Sequence, residues 1–323
     1  MKTKLTEMFG IEYPIVQSGM QWLAVPQLAA AVCNAGGIGT INVTCWPTLD
    51  EFADALDEMN SLTNKPYIVN ISLAPTQRLD NEEIRKTIRL CGEKHVAAIE
   101  TSAEDPREFI ADIKSAGMRH FHKCPNYKVS MSMERKGLDG VIIAGYEVGG
   151  HPSADGVGTF VIARRCAADM KIPVIAAGGV YTGEDIKKYM DLGASGVQMG
   201  TRFVATYECD ADDRFKQAYI DAKKEDIVIT KSPVGMPGRA VRTPLIRRLE
   251  AGERLEPQWC AQCMQGCRPS EIPFCITHAL IQAVKGNREE GLFFSGASVG
   301  LLDRMCSVRE LMEELTREWR ALA

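Results

Sequence analysis

The sequence predicts an α/β fold: a closed (β/α)8 barrel of the TIM type over residues 1–245, followed over 246–323 by a cysteine-rich helical extension. Three observations predict it. Short apolar runs alternate with amphipathic stretches eight times in about 220 residues, which argues for a parallel sheet closed on itself. Two neighbouring runs near the end of that series each stop at glycine, on the same edge of the sheet. A doubly wound open sheet is the competing arrangement. Beyond Trp259 the composition changes and four cysteines fall close together.

The elements follow in order. Pro14–Ser18 is the first strand and stops at Gly19-Met20. Pro26–Ala35 is an alanine-rich helix, halted by Gly36-Gly37, and Ile38–Asn42 is the second strand. Leu49, Phe52, Ala53, Leu56 and Met59 make a helical stripe. Tyr67–Ile71, Val96–Thr101, Arg119–Lys123 and Gly140–Ala144 are strands three to six. Helices over 81–93, 105–116, 129–136 and 160–170 follow them in turn. Val174–Ala177 is a charge-free run suited to a strand buried on both faces. Ile186, Tyr189 and Met190 then give one helix face, and Val197–Met199 is the eighth strand. A helix over 212–223 ends the series. Residues 227–248 show little periodicity and read as a long loop or lid. Helices near 276–284 and along Val308, Leu311, Met312, Leu315, Trp319 and Leu322 complete the chain.

Composition bounds the function. Hydrophobic residues make up 45% and charged residues 25%, enough for a sizeable core. The net charge of −4 leaves no polybasic surface, so nucleic acid is not the expected partner. No apolar run approaches the roughly 20 residues that span a bilayer, and MKTKLTEMFGIEYP lacks a signal-peptide core. The expectation is a cytoplasmic protein that acts on a small-molecule substrate, with a homodimer as one assembly open to it.

The glycines carry the first site. Gly178-Gly179 after strand seven and Gly200-Thr201 after strand eight gather backbone N–H groups on one rim, where a barrel holds phosphate. Three glycines in Gly145-Tyr-Glu-Val-Gly-Gly-His151 let backbone lie flat against a planar ligand, and they bring His151 to the catalytic rim with an imidazole suited to proton transfer. His95 and His278 lie in or beside helices and read as structural. His120 and His122 on strand five are expected to face opposite ways. Lys123 ends that strand, either to hold negative charge or as a snorkelling surface lysine. Gln17, Met20 and Asn70 are further rim residues.

These segments together resemble the nitronate monooxygenase (2-nitropropane dioxygenase) family of FMN-dependent barrels, which also includes a flavin-type enoyl-acyl carrier protein reductase. The resemblance rests on PIVQSGM, LAAAVCNAGGIGT, HKCPN, GYEVGGH, PVIAAGG and GVQMGTRFVATYEC, in that order over residues 8–245. It implies that Gly178, Gly179, Gly200 and Thr201 hold the FMN phosphate. It further implies that Gly19, Met20, Asn70, Lys123 and Gln198 line the rest of the flavin, and that His151 is the active-site histidine. Nitronate oxidation with oxygen and reduction of an activated double bond, fed by NAD(P)H or by an iron–sulfur cluster, are both implied activities; a non-catalytic phosphate-ligand-binding barrel is the reading from another class.

Eleven cysteines cannot all pair within one chain. Cys33, Cys45, Cys91, Cys124, Cys166, Cys209 and Cys306 are scattered and read mostly as small core residues. Cys260, Cys263, Cys267 and Cys275 depart from the family pattern and can converge on a metal. Their spacing fits a four-iron cluster better than Zn, and an unmetallated turn with incidental thiols is the third reading.

Overall fold

The computed structural model describes residues 2–74, 79–257, 259–260, 263 and 267–322. The eight strands are β1 (Ile15–Gln17), β2 (Thr40–Asn42), β3 (Ile68–Ser72), β4 (Ala98–Ser102), β5 (Arg119–Cys124), β6 (Gly140–Ala144), β7 (Val174–Ala177) and β8 (Gly196–Met199). All neighbours are parallel, and the order runs β1-β8-β7-β6-β5-β4-β3-β2. A parallel bridge between Val16 and Ile38 joins the two ends. There the Ile38 amide donates to the Ile15 carbonyl and the Gln17 amide to the Ile38 carbonyl, both at 3.0 Å. The sheet is therefore a barrel, not an open sheet.

Period-two geometry builds its interior in layers. Val16, Ile38, Ile68, Ala98, Phe121, Ile142 and Ile175 form a fully buried apolar layer. The helix Lys4–Phe9 seals this layer from below: Leu5 is fully buried, and the Phe9 ring lies 5.9 Å from that of Phe121. Gly140 opens β6 because a Cβ there would enter the Phe121 ring. Two residues further along the strands come Ser18, Thr40, Asn70, Glu100 and Lys123, with Ala144 on β6 and Ala177 on β7, a layer that is polar at five of its seven positions.

The same periodicity corrects one expectation. His120 and His122 are two apart, so they share a face. Both bond the Thr101 hydroxyl, at 2.8 and 2.9 Å, on the outside of the barrel wall. Burial pushes both imidazoles down, His120 to about 3 and His122 to about 4.

Residues 227–248 are not a loop. They form an antiparallel hairpin of β9 (Ile227–Lys231) and β10 (Pro237–Val241), followed by the helix Pro244–Glu250. β9 is short and keeps no buried residue, and β10 is buried along almost its whole length, so no alternation marks either strand. The last helix, Val308–Ala321, starts in a Ser307/Glu310 capping box. It buries Leu311, Met312, Leu315 and Trp319, while Leu322 falls just past it and is exposed. Arg202, itself buried, pairs with Glu314 at 2.6 Å and ties this helix to the residues after β8. No helix among the described residues is long and apolar enough to cross a membrane.

Candidate active site

The C-terminal rim of the barrel opens into a cavity of ≈ 1350 Å³. Its wall includes His151 and all nine residues the sequence assigns to a flavin: Gly19, Met20, Asn70, Lys123, Gly178, Gly179, Gln198, Gly200 and Thr201. Gln17 is the exception among the predicted rim residues. It is fully buried, its Oε1 accepts from the Thr40 amide at 2.9 Å, and it stitches the β1/β2 seam.

At one end lie the paired glycines. Gly178 and Gly179 have φ of 97° and 71°, a conformation that costs a side-chain-bearing residue strain. A Cβ on Gly178 would also stand 2.8 Å from the Val148 amide nitrogen. The neighbouring loops are tied together here. Thr159 Oγ1 donates to the Ala177 carbonyl at 2.8 Å, and the Thr159 amide donates to Glu147 Oε2 at 2.7 Å. From the far end of the chain, the Gly296 amide donates to Thr201 Oγ1 at 2.9 Å and the Ala297 amide to the Glu147 carbonyl at 3.0 Å. Residues 294–298 thus lie across the loops after β6 and β8. The composite is a cradle mostly of backbone, with no room for a Cβ at Gly178, and it suits a phosphate-bearing cofactor.

The polar layer forms the cavity's floor, and Glu100 is its hub. This carboxylate is fully buried. Lys123 Nζ pairs with Oε1 at 3.0 Å, Asn70 Nδ2 donates to Oε1 at 2.8 Å, and Gln198 Nε2 donates to Oε2 at 2.6 Å. Asn42 Nδ2 extends the chain to Asn70 Oδ1 at 3.0 Å. Lys123 is thus held by a buried partner and is not a snorkelling surface residue. A buried charge pair with its remaining lone pairs bonded is stable enough to keep, and it fixes each amide's direction. Sequence reading missed Glu100, though one signal was there: a carboxylate alone in the otherwise uncharged run Val96–Ser102.

His151 stands on the loop after β6. Its Nε2 lies 2.9 Å from Ser232 Oγ, and its ring meets Phe294 edge-on at 5.2 Å. Burial pushes its pKa down to about 4, so the imidazole is neutral at pH 7. Arg239 pins the loop: its amide donates to the Gly150 carbonyl at 2.8 Å, and its guanidinium lies over the Tyr146 ring at 4.7 Å. Backbone strain collects around the same cavity. Trp22 (φ 66°) and Ala103 (φ 74°), two of the three described non-glycine residues with positive φ, line the cavity.

Among the described residues all eleven cysteines are thiols. No set of three or more His, Cys, Asp or Glu among them is gathered closely enough to hold a metal ion. Cys263 nevertheless lines the large cavity and accepts a hydrogen bond from Thr277 Oγ1 at 2.8 Å. Six of the seven scattered cysteines are buried core residues, and Cys45 is half-buried.

Comparison with known proteins agrees with this fold. The profile of the nitronate monooxygenase family matches residues 2–318. A (3aS,4S,5R,7aS)-5-hydroxy-7a-methyl-1-oxo-octahydro-1H-indene-4-carboxyl-CoA dehydrogenase of Mycobacterium tuberculosis is 32% identical over 98% of this chain and 95% of its own. A probable nitronate monooxygenase of Staphylococcus saprophyticus is 28% identical over 98% of each chain. The structure of FabK from Thermotoga maritima superposes with a TM-score of 0.86 at 33% identity, covering 100% of this chain and 97% of that one. With the barrel, the glycine cradle and the histidine rim all in place, the chain belongs to the nitronate monooxygenase family of flavin oxidoreductases.

Proposed function

We propose that this chain is an FMN-dependent oxidoreductase in which His151 is the acid–base group. One observation carries the reading: a neutral, half-buried imidazole shares a single cavity with a glycine-lined backbone cradle that suits a phosphate. FMN bound there supplies two-electron chemistry, and the protein supplies orientation and charge control. Gly178, Gly179, Gly200 and Thr201 hold its phosphate. The Glu100 network fixes the Asn70 and Gln198 amides and holds Lys123 on the cavity wall, where it would be the cation that answers negative charge on the heterocycle. Neutral at pH 7, His151 can take a proton from an acidic carbon or return one.

Cavity volume bears on the substrate. A single small-molecule site measures roughly 300–1,000 Å³. The ≈ 1350 Å³ here leaves space for a flavin and a second sizeable ligand. Two of the most similar relatives are FabK and a CoA-ester dehydrogenase. We infer a thioester-borne alkene as the second reading beside a small nitronate, with NAD(P)H as the electron donor. Oxygen uptake with ethylnitronate supports the first; NADPH oxidation with crotonyl-CoA supports the second. Purified protein that is colourless and takes up no added FMN refutes both.

The cysteine motif is a separate proposal. A single ion would need its ligands closer together than they stand, whereas the corners of an iron–sulfur cluster lie further apart. The thiol of Cys267 is raised by burial and then by Cys260, Cys263 and Cys275, which are near enough to act on it. We propose that these four cysteines hold a 4Fe-4S cluster beside the flavin cavity. Iron and acid-labile sulfide in anaerobically purified protein test it: zinc instead, or no metal, removes the cluster.

A further inference from the structure

The hairpin β9–β10 does more than cover the site. Ser232 follows β9 directly, is 7% exposed, and anchors the hairpin turn: its amide donates to the Met236 carbonyl at 3.1 Å, and the Gly235 amide donates to its carbonyl at 3.0 Å. The other strand is bonded to the loop that carries the histidine, through the Arg239 amide and the Gly150 carbonyl. The hairpin and the histidine loop are therefore one hydrogen-bonded unit, and Ser232 Oγ reaches Nε2 of His151 at 2.9 Å from within it. Phe294, edge-on at 5.2 Å, restricts the ring from a second side. Among the described residues nothing bonds Nδ1, and this nitrogen keeps accessible surface on a residue that lines the cavity.

We propose that Ser232 is the positioning residue of His151: its hydroxyl oxygen accepts the Nε2 proton and so presents the Nδ1 lone pair to the substrate. The assignment deepens the reading of His151 as an acid–base group and rests on it. The direction of the hydrogen bond follows from the chemistry. When a proton leaves a substrate carbon for Nδ1, its electron pair stays on that carbon and the imidazole becomes a cation with both nitrogens protonated. A bond from Nε2–H to Ser232 Oγ persists unchanged through that step. A bond from the hydroxyl to Nε2 would require Nδ1 to be protonated already, and the ring would be no base on the cavity side.

Nitrogen-15 NMR of the histidine side chains in the FMN-loaded protein reads the tautomer without any substrate. The His151 signal is identified by its loss in His151→Asn. Wild type is expected to carry its proton on Nε2. Ser232→Ala is expected to lose about tenfold in tautomer preference, the worth of one hydrogen bond, and Ser232→Thr to restore it. With nitroethane as probe, kcat should fall by a similar factor in Ser232→Ala, with KM steady, and recover in Ser232→Thr. A proton on Nδ1 in wild type overturns the proposal, as does a Ser232→Ala tautomer identical to wild type. Should Ser232→Ala fail to fold, Ser232→Cys replaces it, since a thiol is a poor acceptor; an unchanged tautomer there also overturns it. Flavin absorbance is recorded for every variant, so failure to bind FMN is seen separately as failure of the cofactor reading.

Discussion

Two rings of side chains lie two residues apart on the same strands, and they have opposite chemistry. The lower ring is Val16, Ile38, Ile68, Ala98, Phe121, Ile142 and Ile175, sealed by the helix Lys4–Phe9. The upper ring includes Ser18, Thr40, Asn70, Glu100 and Lys123, with Gln198 joined to it through Glu100. The backbone is one continuous parallel barrel through both. A strand two residues too short would have the foundation without the site. The lower ring is held by exclusion of water, which tolerates exchange of similar volumes. The upper ring, the Thr40 hydroxyl apart, is held by paired polar groups, and loss of one member leaves another buried without a partner.

The contrast can be broken from either side. Glu100→Ala should do the most damage: it strands Lys123 and two amides, costs about 3–5 kcal/mol in urea unfolding, and abolishes FMN retention. Phe121→Ala should cost a similar ~3–5 kcal/mol through the cavity it leaves. That variant should stay yellow when FMN is supplied, because only the sealed layer is touched. If both variants lose flavin equally, the division between the rings is wrong. His151→Asn should retain flavin and lose about 10²–10⁴-fold in turnover of any true substrate, measured under saturating substrate.

A smaller effect sharpens the account at the rim. Gly178→Ala meets the Val148 amide and a positive φ at once. FMN affinity should fall by about tenfold or more, for about 1–3 kcal/mol of strain. The gentlest test is acid. His120, His122 and His151 all sit below the ordinary 6.5, at about 3, 4 and 4, mainly through burial. Unfolded chains bind those protons first, so stability is full above about pH 6.5 and falls progressively toward pH 4. Urea midpoints at pH 7 and pH 5 measure this, and His120→Asn should flatten the slope.

Much of this was legible from residues alone, for reasons that are local. Alternating apolar runs, glycine stops and the Gly149-Gly150-His151 turn depend on near neighbours in sequence. Glu100 was not legible, because its role depends on register: only in the closed barrel do Asn70, Lys123 and Gln198 converge on one carboxylate. Ser232 and Phe294 escaped for the same reason, lying 81 and 143 residues from His151 in the chain. The hairpin escaped because Pro237 and Gly238 open β10 and β9 keeps no buried face. His120 and His122 were misread by arithmetic that the Thr101 bridge corrects.

The strap of residues 294–298 has a consequence for how the protein matures. These residues cross the mouth late in the polypeptide, after every barrel strand has left the ribosome. A nascent chain halted at residue 245 would have the barrel-loop glycines of the cradle yet lack its upper clasp. Tight capture of the prosthetic group therefore waits for residues 294–298, and weakening that strap should yield a folded but leaky apoprotein.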